Sequence, residues 1–149
     1  MVEIFEIKDE IRPDCLLHDQ TCIEVKEEYD IMSARQEARK AAKSLGFSLF
    51  DQSRVITLIS ELARNIYKYA GYGRIYIDTV EEHGLRGISI LAIDDGPGIV
   101  NVERAMEQGF STSGSLGAGL PAIKRMADEF LIQTVPGKGT CIRIIKWLD

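Results

Sequence analysis

The sequence has few cysteines, few histidines, no surplus of basic charge and no long apolar run. Cys15, Cys22 and Cys141 are an odd number with no close pair, so neither a disulfide framework nor a zinc site is indicated, and reduced thiols are the simpler reading. His18 has no metal-ligand neighbour in sequence and His83 sits beside Gly84 in an expected turn, so both read as solvated rather than catalytic. No stretch is apolar for long enough to span a bilayer, and residues 1–20 carry acids where a signal peptide carries its hydrophobic core. The expectation is a cytoplasmic chain with no membrane partner. With 18 Lys and Arg against 23 Asp and Glu, the net charge of −5 gives no electrostatic case for nucleic acid or an anionic lipid surface. The rest is ordinary for a globular protein, 45% hydrophobic and 28% charged, and the length suits one domain with a sizeable core.

The stretch that organises the chain is Ile88-Ser89-Ile90-Leu91-Ala92-Ile93-Asp94-Asp95-Gly96-Pro97-Gly98-Ile99. Ile88 to Ile93 can satisfy its backbone inside a sheet, whereas Asp94 at its end must find a partner or reach solvent. Gly96 and Gly98 allow a ligand close to the main chain, and Pro97 stops the strand. A carboxylate so placed suits an exocyclic amine such as that of adenine. Taken alone, the stretch reads equally as a surface turn closing a core strand.

Before it, residues 1–20 stand apart as a variable arm: Val2, Ile4 and Phe5 hint at a short strand, which Arg12-Pro13-Asp14 breaks. Ile23 and Val25 alternate with Glu24 and Lys26 as in a half-exposed strand. Asp30 is placed to cap a helix in which Ile31, Ala34, Ala38, Ala42 and Leu45 recur at helical spacing, with Arg35, Arg39, Lys40 and Lys43 around the other side and Gly46 at the stop. That basic face is either simply solvated or a docking surface for an acidic partner. Asp51 is expected to cap the next helix, which runs to about Tyr69 and ends at Gly71, with Val55, Ile59, Leu62 and Ile66 as its buried stripe. Glu61, Asn65 and Lys68 fall along one flank of it. A carboxylate one turn from a carboxamide can accept a proton from a hydroxyl while the amide oxygen ligates a hard cation such as Mg²⁺, which takes its other ligands from water and phosphate. The plainer alternative is an ordinary polar flank.

Arg74 to Val80 alternates as a strand, and Glu81 to Gly87 connects it to the organising strand as an antiparallel neighbour. Asn101 can cap a short helix with Val102, Ala105 and Met106 inward, ending at Gly109. Phe110 to Ala122 holds four hydroxyls and three glycines ahead of a helix marked by Leu120, Ile123, Ala127 and Phe130, with Pro121 suited to its first turn. Free N–H groups at a glycine-lined helix start suit phosphate, and Ser111-Thr112-Ser113-Gly114 has the composition of a lid. Gly117-Ala-Gly119-Leu-Pro-Ala122 matches the dinucleotide pattern literally, but no strand precedes it and no acid follows at the required distance. Gly137-Lys138-Gly139-Thr140 lies between two strands and reads as a hairpin turn rather than a Walker site. The order of elements predicts an α/β (α+β) two-layer sandwich, with a mixed, largely antiparallel sheet and helices on one face.

Glu61-Leu-Ala-Arg-Asn65, Asp94-Asp-Gly96-Pro-Gly98, Gly117-Ala-Gly119 and Gly139-Thr140, in this order and spacing, resemble the four nucleotide-binding boxes of the ATPase superfamily shared by gyrase, Hsp90, histidine kinases and MutL. Glu61 to Tyr67, Gly109 to Gly114, Leu116 to Pro121 and the ending Ile145-Lys-Trp147 resemble more narrowly the small bacterial anti-sigma-factor kinases, in particular the serine/threonine kinases of the stressosome. The likeness covers roughly Cys22 to the end, so residues 21–149 form the implied kinase domain. It implies a Bergerat-type fold with ATP between helices and sheet, Asp94 and Thr140 near adenine, and Gly96 and Gly98 in the same box. It further implies Mg²⁺ on Asn65, the phosphates among Gly117, Ala118, Gly119 and Leu120, Ser113 of the lid in the nucleotide-binding set, and Glu61 as general base. The implied substrates are STAS-domain scaffold proteins of the stressosome, and the freed kinase activates a PP2C-type phosphatase by binding it. A homodimer is compatible with this, whereas a complete sensor histidine kinase is excluded because no phosphoacceptor histidine domain is present. The alternative is an anti-sigma factor or nucleotide-gated switch that sequesters a partner with little phosphoryl transfer.

Overall fold

The computed structural model describes residues 2–6, 21–107 and 119–148, the first of these segments by its backbone. Its strands are β1 (Val2–Glu6), β2 (Thr21–Val25), β3 (Gly73–Glu82), β4 (Leu85–Asp94), β5 (Glu129–Val135) and β6 (Gly139–Trp147). Its helices are α1 (Tyr29–Leu45), α2 (Leu49–Asn65), α3 (Val102–Ala105) and α4 (Leu120–Met126), with one π turn, Ile66–Ala70, continuing α2. The six strands form one sheet in the order β1-β5-β6-β4-β3-β2. β1 runs parallel to β5 and every other pair is antiparallel, so the sheet is mixed and largely antiparallel, as expected.

Alternation along the strands decides which face is covered. Ile88, Ile90 and Ala92 of β4 pack with Ile75 and Ile77 of β3 and Ile142 and Ile144 of β6 beneath Ala38 and Ala42 of α1 and Val55, Ile59 and Leu62 of α2. The alternate residues Leu91, Ile93 and Cys141, with Tyr76, form a separate cluster on the opposite face to which no helix of the described residues contributes. β4 is central and buried on both sides, hence its unbroken apolar run. Asp94, next in the Ile88, Ile90, Ala92 series, is thereby carried to the helical side at the strand's end.

Several boundaries differ from the sequence expectation. Asp51 does not cap α2: Ser48 does, in an extended conformation, its Oγ accepting from the Asp51 N–H at 3.2 Å. Asp51 occupies the third helical position, as the acid of a capping-box pattern does. Asp30 lies inside α1, and its Oδ2 reaches back to the N–H groups of Lys26 and Glu27, each at 2.9 Å. Helix α4 ends at Met126: Ala127 is extended, Asp128 N–H donates to the Ile145 carbonyl, and Phe130 lies opposite Ile144 in the sheet. Phe130 mimicked helical spacing because strand and helix bury it in the same core. The β3–β4 connection is the two-residue turn His83-Gly84, both with positive φ (52° and 79°), so the strands extend further than expected. Asn101 caps α3 as expected, its Oδ1 accepting from Arg104 N–H at 2.9 Å; the expected stop at Gly109 lies outside the described residues.

Candidate active site

The site begins where β4 runs out. Asp94 is paired across the sheet with Thr140 of β6 on one side and Gly73 of β3 on the other. Its Oδ1 accepts from the Gly96 N–H at 2.8 Å, which folds the chain back immediately after the strand. Burial raises its pKa above the usual 3.8, against the opposing pull of hydrogen bonds from the backbone of Gly96 and Thr140. A carboxylate that is half-buried and partly bonded to main chain is a directional acceptor, suited to a neutral amine donor.

The neighbouring glycines serve the protein's own packing. A Cβ on Gly96 would meet Ala70 Cβ at 2.7 Å, and one on Gly98 would overlap the Val135 carbonyl. The space beside these two α-carbons is filled by the π turn and by β5. A Cβ on Gly139 would overlap the Asp94 carbonyl oxygen, so the β6 start and the β4 end interlock. Thr134, fully buried, ties the same pieces together: its Oγ1 accepts from Ile99 N–H at 2.9 Å, donates to the Gly139 carbonyl at 3.1 Å and lies 3.0 Å from the Thr140 hydroxyl. The Gly137 N–H adds a bond to the Pro97 carbonyl at 2.7 Å. The expected Gly137–Thr140 hairpin is thus the clamp on the Asp-Gly-Pro-Gly turn.

Helix α2 supplies the other wall. Its stripe of Val55, Ile59 and Leu62 is buried as expected, and Asn65 is its last residue, half-buried, before the π turn. That turn closes with the Gly71 N–H bonded to the Ile66 carbonyl, and it presents Ala70 to Gly96. Stretches distant in sequence are joined there. Glu61 is only 3% exposed. Its Oε2 accepts from Arg64 Nη1 at 3.0 Å, while its Oε1 is buried without a partner among the described residues. Lys68, the third member of the expected flank, is exposed.

Helix α4 packs against α2 and opens at Gly119, whose φ of 62° and ψ of −132° suit glycine alone. Leu120 and Pro121 are buried behind it. Ser113, Gly117 and Ala118 lie outside the described residues.

The donors present fit the implied ligands. No group of three His, Cys, Asp or Glu side chains gathers among the described residues; a carboxamide such as that of Asn65 instead suits Mg²⁺ that takes its remaining ligands from phosphate and water. Asp94 offers the acceptor, and Thr140 the neighbouring hydroxyl, that adenine needs. Sequence reasoning missed Arg64 and Thr134. The only signals were a basic residue three positions after Glu61 and a hydroxyl in the inward series Phe130, Ile132, Thr134.

Residues 50–149 match the family model of the histidine kinase-, DNA gyrase B- and HSP90-like ATPases. The chain is 54% identical over 132 residues to the serine/threonine-protein kinase RsbT of Bacillus subtilis, covering 89% of this chain and 99% of that one. It is 31% identical over 119 residues to the anti-sigma F factor of Caldanaerobacter subterraneus subsp. tengcongensis, covering 77% and 83% of the two chains. Among solved structures, that of the RsbU and RsbW domains of a Mycobacterium tuberculosis protein superposes with a TM-score of 0.58 at 13% identity, over 86% of this chain and 32% of that one, a likeness of fold. The chain belongs to the histidine kinase-, DNA gyrase B- and HSP90-like ATPases, in their branch of RsbT-type serine/threonine-protein kinases.

Proposed function

We propose that this protein is a partner-switching kinase that transfers phosphate from ATP to a serine or threonine of a STAS-domain stressosome scaffold and, once released, binds and activates a PP2C-type phosphatase. The observation that carries the chemical half is the buried Glu61 carboxylate, with one oxygen lacking a partner among the described residues, one helical turn before the carboxamide of Asn65. A module that only bound a partner would need no base there. ATP with Mg²⁺ supplies the transferable phosphoryl group. Asp94 and Thr140 hold the base, Gly96 and Gly98 shape the turn beneath it, and Asn65 holds the cation. Gly117, Ala118, Gly119 and Leu120, with Ser113 from the lid, surround the phosphates. Glu61 takes the proton of the attacking hydroxyl, a step that positioning and electrostatics alone do not supply.

Docking belongs to a different surface. Arg35, Arg39 and Lys43 stand at i, i+4 and i+8 on the exposed side of α1, and the proposal places an acidic partner face there.

Glu61→Gln preserves size and removes basicity. It is expected to bind Mg·ATP and the STAS-domain partner as wild type does, yet to transfer phosphate about 10²–10⁴-fold more slowly in a single-turnover assay. Transfer near the wild-type rate would remove Glu61 from the role of base. If wild type binds its partners and transfers nothing, the chain is a nucleotide-gated binding switch or anti-sigma factor.

A further inference from the structure

Glu61 is held unevenly. Oε2 is pinned by Arg64 Nη1 at 3.0 Å, and Oε1 is buried with no partner among the described residues. Burying a carboxylate oxygen unpaired is costly, and such atoms persist in native proteins where something other than stability requires them. The two oxygens share one rigid plane, so a contact that holds one restricts where the other points. Arg64 stands three residues after Glu61, on the same side of α2. Its side chain is 34% exposed against 4% for Glu61, so the guanidinium bridges from the rim of the site to the buried group. Its planar, permanently charged fork sets an angle as well as a distance, which a lysine ammonium does not.

We infer that Arg64 is a positioning residue for the phosphoryl-transfer step: it holds Glu61 by Oε2 and thereby aims Oε1 at the hydroxyl to be deprotonated. The inference rests on the reading of Glu61 as base proposed above. It assigns Arg64 no contact with nucleotide or with the protein substrate. A purely structural Arg64, neutralising a buried charge, would lower thermal stability and leave the rate of the folded fraction unchanged.

The test compares Arg64→Gln, Arg64→Lys, Glu61→Gln and the double variant Glu61→Gln/Arg64→Gln. For each, the measurements are single-turnover transfer to a STAS-domain acceptor, acceptor-free ATP hydrolysis, Mg·ATP affinity by calorimetry, and Tm. Arg64→Gln is expected to keep Mg·ATP affinity within about threefold and to slow transfer and hydrolysis about 10–100-fold, the scale of a displaced catalytic group. Arg64→Lys, which restores charge and one donor, recovers part of the rate. In the Glu61→Gln background, Arg64→Gln costs less than about twofold, because residues acting as one unit are not additive. Three results would overturn the inference: an equal loss in both backgrounds, weakened Mg·ATP affinity at an unchanged rate, or wild-type rates in the folded single variants. Should Arg64→Gln fail to fold, Arg64→Lys and the charge-neutral double variant carry the comparison. If wild type transfers nothing to the STAS-domain acceptor while hydrolysis follows the expected pattern, the acceptor assignment falls and the Arg64 inference stands. If hydrolysis is indifferent to Glu61→Gln, the inference falls with the base.

Discussion

Asp94 works against the fold at neutral pH. Burial raises its pKa above 3.8, so the folded chain holds that proton more tightly than the unfolded chain does. Its contribution to stability is therefore fully present below the unfolded pKa and is lost as pH rises through the folded one. At neutral pH the ionised, desolvated carboxylate is a liability to the fold, which the proposed role in nucleotide recognition accounts for. Asp94→Asn should accordingly lose ATP affinity by about 1–3 kcal/mol or more, the cost of an unmatched buried donor, while its stability relative to wild type improves between pH 4 and pH 7. Calorimetric titration with ATP and urea unfolding at the two pH values check both signs. Unchanged affinity would take Asp94 out of the site. Thr134 shows the opposite economy: its single hydroxyl serves Ile99, Gly139 and Thr140 at once and is fully buried.

Among the elements, the β5–β6 hairpin shows how backbone geometry and space separate. Gly137 has a φ of 82° with nothing within 4 Å of a hypothetical Cβ, whereas Gly139 has a φ of 140° and a Cβ there would overlap the Asp94 carbonyl. Gly137→Ala should cost about 1 kcal/mol, the strain of a left-handed alanine. Gly139→Ala must break the Asp94–Thr140 register as well, and is expected to cost about 2–4 kcal/mol and nucleotide binding with it. Thermal unfolding of the two variants, with a nucleotide titration of the second, tests the contrast; equal losses would mean that the hairpin start does not hold β4. The helical stripes, the alternation in β2 and β3 and the unbroken apolar run of β4 were legible because burial leaves its pattern in the sequence. The caps of α1 and α2 were misplaced because Asp30 and Asp51 are good cap residues that sit inside the first turn, where local hydrogen bonding satisfies them equally well. The π turn after Asn65 leaves no periodic mark, since Ile66 to Ala70 differs from an α turn only in which carbonyl receives the Gly71 N–H. Glu61, Asn65 and Asp94 could be named as candidates because their chemistry is unusual at their positions. The Arg64 contact and the Thr134 clamp could not, because they depend on which side chains meet.

At the scale of the molecule, the proposed chemistry and the proposed docking surface lie on different parts of the two layers. The proposed site spans the end of β4, the start of β6 and the end of α2, whereas Arg35, Arg39 and Lys43 run along the exposed face of α1. The chain as a whole is acidic, with a net charge of −5, so this basic stripe stands against its background and can orient an approaching acidic surface. Lys40 is partly neutralised by Glu37 at 3.3 Å and is left out of the test. Exchanging Arg35, Arg39 and Lys43 together for Glu should leave Mg·ATP affinity within about twofold, because none is among the nucleotide-binding residues. The same exchange should weaken binding of an acidic partner about 10–100-fold, mostly through slower association. Raising ionic strength from about 0.05 M to about 0.5 M should erase most of the difference, since screening shortens the reach of exposed charges to a few ångströms. Association kinetics with a STAS-domain protein and with a PP2C-type phosphatase at both salt concentrations provide the measurement. Wild-type association rates in the reversed variant at low salt would show that the stripe is a solvated helix face and that partners reach the kinase elsewhere.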